Sequence, residues 1–283
     1  MMAVLSISKT LSGLIAEKSE RMAVFMQPEA DDFVRGDPHF TLIFNAVSKL
    51  LEDDCHVVLK NIGFNRNRTI FESFVKLFGR YYGNVEYTGI KLDCAYSGCH
   101  YRPIELHTDD AIDSVQPKYG FIQVLREDPC GQAFGWNGVV PISKIVWDLQ
   151  ANDPALLEAL LNHPVPMLSY GVSAYGESRQ EILIKAPILV HQADEYWVRF
   201  DLTRIRFHYY KKQLSIPQEE RLMIEQFLDV CRHHRQRYRL SAGDMLILDN
   251  QRTLHDREEA SIELDETGQL NSREIFVSFA YED

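Results

Sequence analysis

Cysteine is scarce in this 283-residue chain, and its five copies (Cys55, Cys94, Cys99, Cys130, Cys231) are odd in number with no C-x-x-C pair. That argues against a disulfide-stapled scaffold and a thiolate zinc module, and it suits free thiols in a reducing cytoplasm. Positive charge is also in short supply: 30 Lys plus Arg against 41 Asp plus Glu leave a net charge of −11. Gripping nucleic acid or an anionic membrane rewards clustered cations, so neither is an expected partner. No apolar run approaches the ~20 residues of a membrane span. Met1 to Glu20 has neither the basic start nor the small-residue cleavage site of a secretory leader. The sequence also lacks G-x-G-x-x-G and G-x-x-x-x-G-K-[ST] runs, solenoid repeats and low-complexity tracts. What it has is the composition of a globular protein, 45% hydrophobic, at a length that a single β-rich core often uses. The reading is one cytoplasmic domain over residues 1–283, with 1–38 as an N-terminal arm or loop.

From Phe40 the apolar residues Phe40, Ile43, Phe44, Val47, Leu50 and Leu51 recur at helical spacing. Cys55 to Ile62 is short and β-branched, the mark of a buried strand. Thr69 and Glu72 are spaced as a capping box for a second helix, which should stop near Gly83. Asn152-Asp153-Pro154 opens a third helix, and Ser215 to His234 forms a fourth. Strand-like runs follow at Tyr119–Arg126, Val139–Ile142, Tyr196–Leu202, Met245–Asp249 and Ile275–Tyr281. Helices cluster early and strands late, without β-α-β alternation. That order implies an α+β fold with an antiparallel core.

Chemistry concentrates in two segments. His107-Thr108-Asp109 follows Pro103 to Leu106, where a strand can run, and residues i and i+2 of a strand share a face. His255 follows the apolar run Met245 to Leu248 and the stretch Asp249-Asn250-Gln251-Arg252. Two imidazoles and one carboxylate on one face of an octahedron leave three positions open, the ligand set of non-haem Fe(II) oxygenases. An H-x-D tripeptide alone is weak, since solvated turn histidines beside an aspartate are common; the second segment gives it weight.

Gly243 to Arg257 closely resembles the G-D-x-x-x-x-D-N-x-R-x-x-H-x-R stretch of the taurine dioxygenase/clavaminate synthase-like family of Fe(II)- and 2-oxoglutarate-dependent oxygenases. The spacing from His107 to His255, and Phe78 to Gly83 ahead of the H-x-D, are similar too. The likeness covers Leu50 to the C-terminus, and small-molecule enzymes such as carbapenem synthase are the nearest in kind. It implies a double-stranded β-helix, or jelly-roll, with flanking helices. It implies His107, Asp109 and His255 as iron ligands, with Fe(II), 2-oxoglutarate and O₂ as cofactor and cosubstrates. Arg273 matches the arginine that pairs with the far carboxylate of 2-oxoglutarate, a role suited to a planar, permanently charged fork.

Two departures stand out. Many members hold the same carboxylate with the threonine of a Gly-x-Thr segment. At the apparent match stands Gly131-Gln132-Ala133, so Gln132 becomes the candidate substitute. Four residues beyond Arg273, where several members carry an arginine for an anionic substrate, stands Val277, and a sulfonate substrate loses support. Tyr101, Arg102, Glu105 and Arg199 are candidate substrate contacts near the cavity mouth, with a rim or surface role as the plain alternative. Arg257 either braces the metal loop or pairs with Glu258 or Glu259 on the surface; Asn250 and Arg252 are loop-fixing residues.

The resemblance implies oxidative decarboxylation of 2-oxoglutarate to succinate and CO₂, coupled to oxidation of an unactivated C–H bond. Hydroxylation is the usual outcome; desaturation and cyclisation use the same chemistry. Related halogenases lack the carboxylate that Asp109 supplies, so oxygenation or dehydrogenation is implied here. The expected partner is a small metabolite such as an amino acid or natural-product intermediate and, at most, further copies of the chain as a homo-oligomer. Two other readings stay open: an inactive metal-binding barrel serving as a scaffold, and an oxygenase acting on a macromolecule.

Overall fold

A computed structural model describes residues 3–90, 97–171 and 178–282, with the backbone alone at 81–88 and 97. Cys94 lies outside the described residues. The strands are β1 (Val4–Ser6), β2 (His56–Lys60), β3 (Arg80–Gly89), β4 (Ile104–His107), β5 (Tyr119–Arg126), β6 (Asn137–Pro141), β7 (Val165–Leu168), β8 (Leu183–Ala186), β9 (Leu189–Gln192), β10 (Glu195–Val198), β11 (Gln236–Tyr238), β12 (Met245–Asp249), β13 (Thr253–Arg257), β14 (Ile262–Leu264), β15 (Leu270–Ser272) and β16 (Glu274–Tyr281). The helices are α1 (Lys9–Met22), α2 (Glu29–Gly36), α3 (Pro38–Asp54), α4 (Thr69–Phe78), α5 (Ile142–Asn152), α6 (Pro154–Asn162), α7 (Leu202–Lys211) and α8 (Gln218–His234).

Six strands form one sheet in the order β1-β2-β12-β5-β16-β3, and four form another in the order β11-β6-β13-β4. All pairings are antiparallel except β1 with β2. Period-two alternation sorts the side chains of both sheets. On β12, Met245 and Ile247 join the core made by α1 to α4, whereas Leu246 and Leu248 join a second core that includes Val139 of β6. On β6, Val139 belongs to that inner core, whereas Val140 packs outward with Leu254 of β13 against α5, α6 and α8. Helices therefore cover the outer faces, and the space between the sheets is left for the inward-facing residues. This is the α+β jelly-roll arrangement expected from the sequence.

The N-terminal segment differs from the expectation of an arm or loop over 1–38. Most of it is helical, and Ile15, Met22, Ala30 and Val34 are buried against α4 and the large sheet. The capping box does not form either. Thr69 is already helical, the cap position is Arg68 in a left-handed conformation at φ 58°, and the Asn65 side chain accepts from the Ile70 N–H instead. That helix ends at Phe78 rather than Gly83, because Gly79 brings the chain against Tyr281: a Cβ there would lie 1.8 Å from the Tyr281 carbonyl oxygen. The run Tyr196–Leu202 is a strand only to Val198, and Leu202 starts α7, capped by the Asp201 side chain accepting from the Arg204 N–H.

Candidate metal centre and its cavity

The two chemical segments meet through strand register. His107 ends β4 and stands directly opposite His255 on β13, with ring centroids 4.3 Å apart. Asp109 lies just past the strand rather than on it. What returns it to the same side is the middle residue. Thr108 is buried, its N–H donates to the Phe200 carbonyl (2.8 Å), and its hydroxyl accepts from the Phe200 N–H (3.2 Å) and Gln116 Nε2 (3.2 Å). With Thr108 anchored away from the cavity, Asp109 faces both imidazoles.

Asp109 Oδ2 is 3.2 Å from His255 Nε2, Oδ1 is 3.6 Å from His107 Nε2, and the three donor atoms lie within 4.8 Å of one another. Metal–ligand bonds near ~2.1 Å place adjacent donors of one ion ~3 Å apart, so small side-chain adjustments close this set around a cation. The His107 Nδ1–H donates to the Glu105 carbonyl at 2.8 Å, which leaves Nε2 as the lone-pair nitrogen facing the other two donors. Burial opposes ionisation of Asp109, yet the neighbouring His255 and His107 hold its carboxyl well below the usual range. Burial likewise works against a charged His107, but Asp109 outweighs it and raises its pKa. The cluster sets one carboxylate against two imidazoles, a donor set on which a divalent cation would take the place of protons.

Asn250 fixes the carboxylate loop. This fully buried amide accepts from the Asp109 N–H (2.9 Å) and donates to the carbonyls of Asp109 (3.0 Å) and Pro117 (3.1 Å). Arg252 holds the β12–β13 turn that carries Asn250, through Asp249 Oδ2 (2.7 Å) and the Leu51 carbonyl (3.0 Å). Both do what the sequence reading assigned to them.

A cavity between the sheets opens from the three donors. Its apolar wall is Ile104, Ile122, Ile275, Val277 and Phe279, and its polar end is Asn137, Arg257 and Arg273. Arg273, Ile275, Val277 and Phe279 come from one chain stretch at alternate positions, so a single face of β16 and its lead-in builds much of the lining. Arg273 is buried, and its hydrogen bond among the described residues runs from Nη2 to Asn137 Oδ1 at 3.2 Å. Burial and the like charge of Arg257 push its pKa down to about 9, opposed by Asp128. Asp128 is itself occupied by Ser261, accepting from its N–H (2.7 Å) and its hydroxyl. Gly135, at φ +71°, lets the chain pass close here: a Cβ would lie 3.2 Å from Asp128 Cβ and 3.5 Å from Arg273 Cδ.

Arg257 is buried and makes no surface pair with Glu258 or Glu259 side chains. It donates to the carbonyls of His100, Arg102 (2.9 Å) and Glu258 (3.3 Å), which ties the loop before β4 to β13. Among the described residues neither of these two buried guanidiniums bonds a carboxylate, which suits a ligand carrying negative charge. The metal-ligand set and the arginine end thus both fit their implied guests, a divalent cation and an anionic cosubstrate.

The remaining sequence candidates are not brought to this cavity. Gln132 is exposed on a short helical turn, Gly131–Ala133, where its carbonyl accepts from the Trp136 indole. Tyr101 and Arg102 are exposed, and Arg102 contributes its backbone carbonyl to Arg257. Glu105 is exposed, with both carboxylate oxygens 2.7 Å from Arg206 Nη1. Arg199 donates to the carbonyls of Ala111 (3.0 Å) and Asp113 (2.7 Å), bracing the turn after Asp109. The residue that sequence reasoning passed over is Asn137. It sits two positions before Val139, so strand parity gives it the same inward face.

Comparison with known proteins agrees with this architecture. The profile of the taurine catabolism dioxygenase TauD, TfdA family matches residues 28–273, reaching further toward the N-terminus than Leu50. No curated protein matches the sequence. Among solved structures, an asparagine oxygenase in complex with Fe(II), 2S,3S-3-hydroxyasparagine and succinate superposes with a TM-score of 0.76 at 16% identity, covering 99% of this chain and 94% of that one. The non-heme iron oxygenase OrfP in complex with Fe, succinate and (3S)-hydroxy-L-Arg gives 0.73 at 15% identity, covering 100% and 95%. OrfP in complex with Fe and alpha-ketoglutaric acid gives 0.71 at 16%, with the same coverage. With most of its length matched, the chain belongs to the taurine catabolism dioxygenase TauD, TfdA family.

Proposed function

We propose that this chain is, as one domain, an Fe(II)- and 2-oxoglutarate-dependent oxygenase that oxidises an unactivated C–H bond of a small metabolite, releasing succinate and CO₂. The observation that carries the reading is the convergence of His107, Asp109 and His255 on a cavity that buried Arg273 also lines. In this family such an iron centre supplies O₂ activation driven by decarboxylation of the bound oxo acid. The protein's part is positional and electrostatic. His107, Asp109 and His255 would hold the cation beside the cavity that they line. Arg273 provides the buried positive charge for the far carboxylate of 2-oxoglutarate. The apolar wall of Ile104, Ile122, Ile275, Val277 and Phe279 would keep water from the space beside the three donors, where a substrate carbon would lie.

Amino-acid-like substrates are the reading's first choice, because the asparagine oxygenase and OrfP complexes hold hydroxylated amino acids. Val277 supports a substrate without a sulfonate at that wall. Scarce cysteines fit a cytoplasmic protein: Cys55, Cys130 and Cys231 are free thiols. The net charge of −11 counts against nucleic acid as the substrate. The test is anaerobic loading with Fe(II), then O₂ and 2-oxoglutarate against a panel of free amino acids. Succinate formation coupled to a substrate gaining one oxygen atom supports the proposal. Absence of succinate from metal-loaded protein, even uncoupled from substrate, would refute it.

A further inference from the structure

Asn137 is buried at the first position of β6, pairs across the strands with Arg257 of β13, and lines the cavity. Its amide orientation is fixed by chemistry. Arg273 can only donate, so the atom that receives Nη2 at 3.2 Å must be the carbonyl oxygen Oδ1. The NH₂ end, Nδ2, then has no hydrogen-bond partner among the described residues although it is shielded from solvent. A buried amide donor left without an acceptor is costly, and native proteins rarely keep one without a water, ion or ligand to satisfy it.

The neighbours say which ligand chemistry that is. Nδ2 belongs to a group bonded to a buried guanidinium, with a second guanidinium across the strand pair, so an acceptor arriving here is most favoured as an anion. A carboxylate offers two oxygens, one for the Arg273 fork and one for the amide. We propose that Asn137 is a cosubstrate-binding residue: its Oδ1 sets the Arg273 guanidinium and its Nδ2 donates to the far carboxylate of 2-oxoglutarate. This rests on the oxygenase reading above. It supplies the side-chain donor that Ala133 lacks and that exposed Gln132 does not bring to the cavity. Asn137 thereby selects for a dicarboxylate, because a 2-oxo acid without the far carboxylate leaves both Nδ2 and Arg273 unpaired.

The test is anaerobic calorimetry of 2-oxoglutarate and of pyruvate on Mn(II)-loaded protein, which needs no turnover. Pyruvate shares the oxo-acid end and lacks the far carboxylate. Asn137→Ala should weaken 2-oxoglutarate by roughly ten- to a hundredfold, the usual worth of a hydrogen bond to a charged group, and leave pyruvate unchanged. Asn137→Asp, nearly the same shape and so a guard against misfolding, should weaken it further by setting a carboxylate against a carboxylate. Equal losses for both ligands, or unchanged 2-oxoglutarate binding while Arg273→Ala weakens it, would overturn the role of Asn137 alone. Unchanged 2-oxoglutarate binding in Arg273→Ala as well would overturn the oxygenase reading with it.

Discussion

His107 and His255 are direct cross-strand partners on β4 and β13, and the whole candidate centre follows from that register. A one-residue slip of either strand would turn its imidazole to the opposite face of the sheet. The register is held on both sides of β13, since its other neighbour β6 pairs with it from Thr253–Pro141 through Arg257–Asn137.

The carboxylate has its own support, and removing it should show in metal affinity. Asn250→Ala deletes three hydrogen bonds that fix the Asp109 and Pro117 backbone. Supporting partners of metal ligands are typically worth 10–100-fold in affinity, so Mn(II) binding measured by calorimetry should weaken by about that factor. Stability should fall by about 1–3 kcal/mol in a denaturant titration, because buried backbone groups lose their partners. Asn250→Asp should be no better, since a carboxylate cannot donate to the two carbonyls.

The loop before β4 is tied down by Arg257, whose guanidinium bonds the His100 and Arg102 carbonyls. In Arg257→Met the stem's packing is largely kept and those bonds are lost. Hydrogen exchange of the amides at 98–102 should accelerate at least tenfold, while protection along Met245–Asp249 stays as in the wild type. Equal protection at 98–102 in both proteins would show that other contacts hold the loop.

Acid sensitivity should trace in part to His56. The ring is fully buried, with Nδ1 at the Asp54 carbonyl (2.8 Å) and Nε2 at the Tyr238 hydroxyl (2.5 Å). Burial lowers its pKa from the ordinary 6.5. Unfolded chains then bind a proton that the folded protein refuses, so stability present above pH 6.5 is lost as pH falls toward the depressed value. The melting temperature should drop between pH 7 and pH 5, and by less in His56→Gln. An equal drop in both proteins would assign the acid sensitivity to other groups.

Helix α4 is the link between the N-terminal helices and the large sheet. Phe71 is fully buried and lies 5.6 Å, ring to ring, from Phe276 of β16. Phe71→Ala should cost about 3–5 kcal/mol by denaturant titration, the range for deleting a buried aromatic. The metal-binding stoichiometry of the folded fraction should stay the same, because the ring faces away from the cavity.

Much of this was legible in the sequence where one physical rule dominates. Met245–Asp249 and Tyr119–Arg126 are short apolar runs whose strand limits match the structure. Both metal segments carry enough fixed residues for the resemblance to name His107, Asp109 and His255. The N-terminal helices were hidden because their buried stripe is thin: α1 buries Ile15, Ser19 and Met22, and a serine breaks the apolar signal. That serine is spent on a tertiary contact, receiving the Ser73 hydroxyl at 2.9 Å. Asn137 was missed for a related reason. Its role depends on Arg273, distant in sequence, and an asparagine ahead of a strand reads locally as a turn residue.

The most direct measurement is the anaerobic binding of Fe(II) to the wild type and to His107→Ala, Asp109→Ala and His255→Ala, by equilibrium dialysis with metal quantitation. One ion per chain in the wild type, and affinity reduced by at least about a hundredfold in each folded variant, is the expected result. Wild-type stoichiometry and affinity persisting in the His255→Ala protein would contradict a metal centre shared between the two segments.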